Sequence, residues 1–299
     1  MNNREGYVAT IGMFDGVHRG HQFVVGQVAG CARELGLGSM IITFDHSIHH
    51  KQTLTPLADK CEALKAMGID RVEVLAFTDQ MRRLTAREFM EQQLRDRLGV
   101  RVLLTGYDNR FGHNREEGFD DYVRYGRELG IDVRQLPPLP ADDDGQTAVS
   151  SSLIRDLLVG GDVAGAGSCL GHPYSITGHV VHGQHIGTGL GFPTANVSPD
   201  DGSQLIPAAG VYAVTVRLLP DAAEWPAMMN IGCRPTFSGT SQTLEAHIFQ
   251  LTGDLYDRQL RVSFISRLRG ERQFPSAEAL QAQLHEDAKA VRLLFGMQS

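Results

Sequence analysis

Apolar positions fall into two rhythms in the first half of the chain. Short apolar runs at Tyr7–Met13 and Ser39–Phe44 read as buried strands, and further strands are read at 71–76, Arg101–Thr105 and 131–136. Between them, apolar residues recur at helical spacing over 19–36, near 57–67, over 85–98 and over 118–129. The first helix is expected to stop at Gly36, and Thr85-Ala-Arg-Glu88 has the form of a helix-start capping box. Strands alternating with helices of this length predict a parallel sheet covered on both faces. A ligand in such a sheet is expected at the carboxyl ends of the strands.

The rhythm changes after a loop, Pro137–Gly145, and two short predicted helices at 151–158 and 162–169. Short β-rich pieces follow at 174–182, 210–219, 226–232, 243–250 and 260–268, separated by Gly, Pro, Ser and Asp. They predict an antiparallel sheet or small barrel. A last amphipathic helix is expected to start at Ser276 and to place Leu280, Leu284, Val291 and Leu294 on one face. A boundary is predicted near 165–172, giving domains 1–168 and 169–299.

Composition narrows the function classes. The chain is 42% hydrophobic and 21% charged, as expected of a globular protein, and its formal net charge is -7. That balance argues against a nucleic-acid-binding face. The first residues lack a signal-peptide pattern and no apolar run is long enough to span a membrane, so a cytoplasmic location without a membrane partner is expected. The four cysteines, Cys31, Cys61, Cys169 and Cys233, form no CxxC, which makes a zinc site or disulfide framework improbable.

Chemistry concentrates in a few segments. Ile11-Gly-Met-Phe-Asp-Gly-Val-His-Arg-Gly-His21 leaves the first strand and enters the first helix, where helix-terminal N–H groups favour an anion. Gly12, Gly16 and Gly20 allow close backbone approach. His18 and His21, three apart, share a helical face and suit the negative charge of a transferring phosphoryl group. The P-loop pattern is absent. Ser150 and Ser151 at a helix start, with Arg155 one turn in, form a second candidate phosphate grip. Gly106-Tyr-Asp-Asn-Arg-Phe-Gly112 follows the fourth strand at the same edge, with Asp108, Asn109 and Arg110 as candidate contacts. His46, His49 and His50 read as a solvated loop, because no further ligand stands at a metal-binding spacing.

In the second half, Gly183 to Asn196 is too irregular for a dinucleotide fingerprint, since GxGxxG is incomplete and Pro193 follows at once. It reads as a glycine-rich flap over a nucleotide, ending in a Thr-Ala-Asn turn. The oxygens of Thr194 and Asn196 suit Mg2+. Glu245, on an alternating strand, is a candidate general base.

Taken together, GMFDGVHRGH, GYDNRFG, SSSLIR, GFPTAN, NIGCRPTF, LEAHIF and DLYDRQLRVSFISRLRGERQF, in that order, resemble the bacterial bifunctional riboflavin kinase/FAD synthetase family over nearly the whole chain. The resemblance implies an α/β fold: a Rossmann-like nucleotidyltransferase domain with a parallel sheet, followed by a small antiparallel β-barrel domain with a C-terminal helix. It implies two reactions, phosphorylation of riboflavin to FMN and AMP transfer from ATP to FMN, with riboflavin, FMN and ATP as small-molecule substrates and Mg2+ as cofactor. It implies ATP and phosphate contacts at Gly12, Phe14, Asp15, His18, Gly20, His21, Ser150, Ser151 and Arg155 in the first site. In the second it implies nucleotide contacts at Gly183, Gly187 and Gly191, Mg2+ at Thr194 and Asn196, and a base at Glu245. Asn109 and Arg269 would lie near the flavin.

The chain departs from the family's usual pattern at three places. It has no proline in Thr43–His49, lacks two basic residues in Ile186–Gly191, and carries Asn109 where an aromatic is usual. Two other readings stay open from the sequence: a nucleotidyltransferase for another phosphate-bearing substrate, and a flavin or nucleotide sensor without turnover.

Overall fold

The computed structural model describes residues 5–45, 52–106, 109–113, 116–137, 139, 149–183, 189–236, 239–251 and 253–297, without the side chains of 233–241. They form two compact units, Met1–Ser150 and Ser151–Ser299.

The first unit is built on five parallel strands, β1 Tyr7–Ile11, β2 Gly38–Phe44, β3 Arg71–Leu75, β4 Val100–Thr105 and β5 Asp132–Gln135, in the order β3-β2-β1-β4-β5. Alternation along the strands divides the core in two. Ala9, Ile11, Met40, Ile42 and Leu103 face one way, and Val8, Ile41, Val102 and Leu104 the other. The second face is covered by α1 (Arg19–Leu35) through Val25, Val28 and Ala32, and by α2 (Leu57–Ala66) through Leu64. The first face is covered by α4 (Ala86–Phe89), its continuation Met90–Arg97 and α5 (Phe119–Leu129), through Phe89, Met90, Leu94 and Tyr122. Both faces are thus closed, as the strand-helix alternation predicts.

The local signals act as read. Gly36 ends α1 in the left-handed region at φ 67°. The Thr85 hydroxyl accepts from Glu88 N and the Glu88 carboxylate accepts from Thr85 N, completing the capping box. Two features escape the periodicity. A short helix, α3, runs Asp79–Arg83, and Met90–Arg97 is π-helical rather than α-helical.

The second unit opens with α6 (Ser151–Gly160) and α7 (Val163–Leu170). Six strands follow: β6 Tyr174–Val181, β7 Ala195–Pro199, β8 Gly210–Leu218, β9 Glu224–Thr236, β10 Gly239–Ile248 and β11 Gln259–Gly270. They close into an antiparallel barrel in the order β10-β7-β6-β11-β8-β9. The expected Thr-Ala-Asn turn is instead the entry to β7, which pairs with both β6 and β10 and so closes the barrel. α6 and α7 belong with the barrel: Ala208 N donates to Leu158 O, and Arg267 Nη1 donates to Gly160 O.

α8 (Ala277–Leu294) starts at Ser276, whose hydroxyl accepts from Ala279 N. Its Ala288 and Val291 pack with Phe192, Val211, Ala213 and Met228 of the barrel unit. Leu294, placed by spacing on the same face, is 49% exposed, because the helix ends at that turn.

Candidate active sites

β1 and β4 are neighbours, yet the chain leaves them toward opposite sides of the sheet. This switch point is where an open α/β sheet leaves a crevice at its carboxyl edge. Both glycine-bearing segments emerge there. A cavity of about 690 Å3 is lined by Ile11, Gly12 and Met13 after β1, by Asn109–His113 after β4, and by Phe44, Phe77 and Arg82–Leu84. Asn109 Nδ2 donates to Ile11 O at 2.6 Å, tying the two segments together. Tyr122 supports the cavity from below: its hydroxyl accepts from Phe111 N and donates to Phe111 O or Glu117 O.

The turn after β1 is strained. Phe14 and Val17 hold positive φ, 50° and 42°, around Gly16 at 85°. For β-branched Val17 this is an outlier of the kind that collects at functional sites. Asp15 does not face outward. Its buried carboxylate accepts from Leu54 N at 2.9 Å and Thr55 N at 3.2 Å, anchoring the turn to the segment before α2.

His18 caps α1, its Nδ1 accepting from His21 N at 3.4 Å. The two imidazoles stack with centroids 3.6 Å apart. A Cβ on Gly20 would stand 3.2 Å from the His18 ring, so glycine leaves room for this pairing. Burial lowers the His18 pKa to about 4. Burial, then His18, then Lys60 hold His21 well below the ordinary histidine value. Both rings are therefore neutral at pH 7. His21 Nδ1 is sealed from solvent and has no partner among the described residues.

Ser150 ends the first unit, whereas Ser151 and Arg155 lie on α6 in the second, where Arg155 Nη1 donates to Ser151 O.

In the barrel unit, a cavity of about 280 Å3 is lined by Thr194, Asn230, Glu245, His247, Arg269 and Leu284, among others. Three expected residues, Thr194, Glu245 and Arg269, therefore meet at one cavity. Register explains more. Glu245 on β10 stands opposite Asn196 on β7 and opposite Asn230 on β9, so the three form a row across adjacent strands. Asn230 is a residue that motif reading did not single out; only the pairing of β9 with β10 brings it to Glu245.

Gly183 is needed for packing: a Cβ there would stand 1.9 Å from Asn196 Nδ2. Gly191 lies in a turn at φ 83°, a conformation that favours glycine. His247 Nδ1 lies 2.8 Å from the Pro193 carbonyl, so that nitrogen carries the hydrogen and holds the GFPTAN segment against β10. Phe192 of the same segment is buried between the edges of His247 and His285.

Arg269 is at the cavity but is already engaged. Its Nε and Nη2 donate to the Asp287 carboxylate at 2.7–3.1 Å, and its guanidinium lies over the Phe274 ring. Asp287, on α8, is a second residue that the motifs did not reveal. Gly187 and residues 46–51, including His46, His49 and His50, lie outside the described residues, as does Asp108.

Comparison with known proteins follows the same division. The FAD synthetase family matches residues 1–153 and the riboflavin kinase family residues 170–295. Most of α6 and most of α7 stand between the two matches. A bifunctional riboflavin kinase/FMN adenylyltransferase from Pseudomonas fluorescens is 39% identical over 298 residues, 97% of this chain and 93% of the relative. Those of Escherichia coli K12 and Bacillus subtilis are 36% and 31% identical, with 98% and 94% of this chain covered and 94% and 90% of theirs. A crystal structure described as a macrolide-efflux protein from Streptococcus pneumoniae superimposes with a TM-score of 0.87 at 30% identity, covering 96% of this chain and 94% of that one. Among the described residues of this chain, no helix is long and apolar enough to cross a membrane.

Proposed function

The chain belongs to the bifunctional riboflavin kinase/FMN adenylyltransferase family, and from that footing we propose which side chains carry each of its two reactions. The protein phosphorylates riboflavin with ATP to give FMN, and transfers AMP from ATP to FMN to give FAD and pyrophosphate. We assign the AMP transfer to residues 1–168 and the kinase to 169–299.

Glu245 is the base of the kinase. The observation that carries this is its position in one row with Asn196 and Asn230, at the cavity that Thr194 and Arg269 also line. Its carboxylate would take the proton of the ribityl 5′-hydroxyl as that oxygen bonds to the γ-phosphorus and ADP leaves. Mg2+ fits the donors present. The Thr194 hydroxyl and the Asn196 amide oxygen are hard neutral ligands, suited to an ion that takes the rest of its shell from phosphates and water. Among the described residues no cluster of three His, Cys, Asp or Glu offers a rival cage. When bound, the ion would neutralise phosphate charge. Gly183 and Gly191 let the flap backbone lie close over the nucleotide, and Gly187 is assigned the same role. The Arg269 guanidinium, fixed by Asp287, presents its remaining edge to the flavin.

In the first unit, the 690 Å3 cavity at the switch point takes the flavin of FMN, with Asn109 in its wall. Gly12, Phe14, Gly20 and the His18–His21 pair receive the ATP phosphates, with Ser150 as a further phosphate contact. Asp15 acts by holding the turn. FMN brings its own ionised phosphate, whose oxygen attacks the α-phosphorus as pyrophosphate leaves, so no side-chain base is required. The neutral imidazoles act as hydrogen-bond donors to the leaving pyrophosphate oxygens.

The test supplies riboflavin, ATP and Mg2+ and separates the flavins. Glu245→Gln should abolish FMN formation while FAD still forms from added FMN. His21→Ala should do the reverse. Loss of both reactions in either folded variant refutes the assignment.

A further inference from the structure

Lys60 is among the few buried charged side chains of the first unit, 5% exposed, and the reactions as assigned make no use of it. It sits on the second turn-start of α2, and its ammonium reaches back under the strand ends. Nζ donates to Met13 O at 3.0 Å, to Thr43 Oγ1 at 3.0 Å and to Phe44 O at 3.4 Å. Thr43 Oγ1 itself donates to Met13 O. Two donors therefore converge on one carbonyl and fix the Met13–Phe14 peptide plane, the start of the strained turn. Three acceptors satisfy the three N–H bonds, but all three are uncharged oxygens. No carboxylate lies within ion-pair distance of Nζ among the described residues. The nearby Asp15 already accepts two backbone amides.

A buried cation without a paired anion is costly unless something compensates it. Asp15 and Asp45 offset part of that cost without bonding to Nζ, and an anion held by the turn would offset more. Resting on the adenylyl-transfer reading given above, we propose that Lys60 is a positioning residue of that site: it holds the Met13–Phe14 peptide and supplies, from beneath, the fixed positive charge that the triphosphate of ATP pairs with, without touching the phosphates. Its field already reaches the site, since the Lys60 charge is one of the causes that depress His21. Burial lowers the Lys60 pKa and Asp15 offsets part of that effect. A buried, neutral histidine pair in the turn and a single cation below it give the anion site its charge without a second like charge competing at the imidazoles.

The test uses the full chain with FMN, ATP and Mg2+ and follows pyrophosphate release against ATP concentration. Lys60→Gln keeps an N–H donor and removes the charge, whereas Lys60→Arg keeps the charge. Lys60→Met, of similar volume, serves as the neutral variant if glutamine prevents folding. The neutral variant should raise KM for ATP about tenfold or more with a smaller fall in kcat. Lys60→Arg should stay within about threefold of wild type. Riboflavin phosphorylation by the same preparations serves as the internal control and should not change. A neutral variant equal to wild type, or an arginine variant as impaired as the neutral one, overturns the role of charge. Wild-type protein that makes FMN but no FAD overturns instead the adenylyl-transfer reading on which the proposal rests.

Discussion

The Arg269–Asp287 pair invites a quantitative test, because it joins the strand that bears a cavity residue to the C-terminal helix. The side chains are 10% and 5% exposed, and three N–H···O distances of 2.7–3.1 Å join them. Gln283 Nε2 donates to the same carboxylate at 2.9 Å. Asp287→Ala removes the anion and leaves the guanidinium buried without a compensating charge, held only by the Gly270 carbonyl and the Phe274 ring. Breaking a buried pair from one side costs about 3–5 kcal/mol, against about 0–1 kcal/mol for a surface pair. At roughly 2–4 °C per kcal/mol for a unit of this size, the barrel unit should melt about 6–20 °C earlier. Trp225, the only tryptophan of the chain, lies on β9, so its fluorescence reports that unit alone. Denaturant unfolding followed at Trp225 gives the free energy directly. Arg269→Met combined with Asp287→Leu should return most of the lost stability, since no unpaired charge remains. A loss under about 1 kcal/mol in Asp287→Ala would refute the reasoning: the pair would then behave as an exposed one.

Two further outcomes are expected. His18 is held neutral by burial, with a pKa of about 4 against 6.5 for the ordinary group. The unfolded chain therefore takes up a proton that the fold refuses, and the stability is complete above about pH 6.5 and lost as pH falls toward about 4. The loss amounts to about 3 kcal/mol. His18→Asn, which keeps a capping oxygen, should flatten this acid limb, and an NMR titration placing His18 near its ordinary value would contradict the prediction. Gly183→Ala puts a Cβ within 1.9 Å of Asn196 Nδ2. FMN formation should fall at least about tenfold as Asn196 is displaced. FAD formation from supplied FMN should persist, and retention of normal kinase activity would show that Asn196 need not be where it is.

The strand-helix alternation of the first unit was readable because its central strands β1 and β2 are buried on both sides and so appear as nearly uninterrupted apolar runs. The barrel was harder. β7, Ala195–Pro199, is five residues long and contains Asn196 and Pro199, so it carries no alternation by which to recognise it. Its identity as a strand comes from pairing with β6 and β10, which is non-local. The same holds for Asn230 and Asp287, which reach Glu245 and Arg269 through register and helix docking. The motifs singled out His18, His21, Thr194 and Glu245 as candidates, because they stand in short local patterns that a sequence shows directly. Motifs did not reveal that Asp15 bonds to Leu54 and Thr55 or that Arg269 is paired. Lys60 did leave a trace: it occupies the apolar stripe of Leu57, Cys61 and Leu64 at helical spacing, and a charge in such a stripe is a signal.

The two sheets also differ in how they end. The barrel closes on itself, so it offers no unpaired strand to another molecule. The open sheet ends at β3 and β5, with five and four residues. Each of these edges carries an arginine and an acid two residues apart, Arg71 with Glu73 at 2.7 Å and Arg134 with Asp132 at 2.8 Å. A second chain adding a strand there would have to accommodate or desolvate these charges. The short charged edges thus guard the first unit against edge-to-edge aggregation, a protection that the barrel obtains from closure alone.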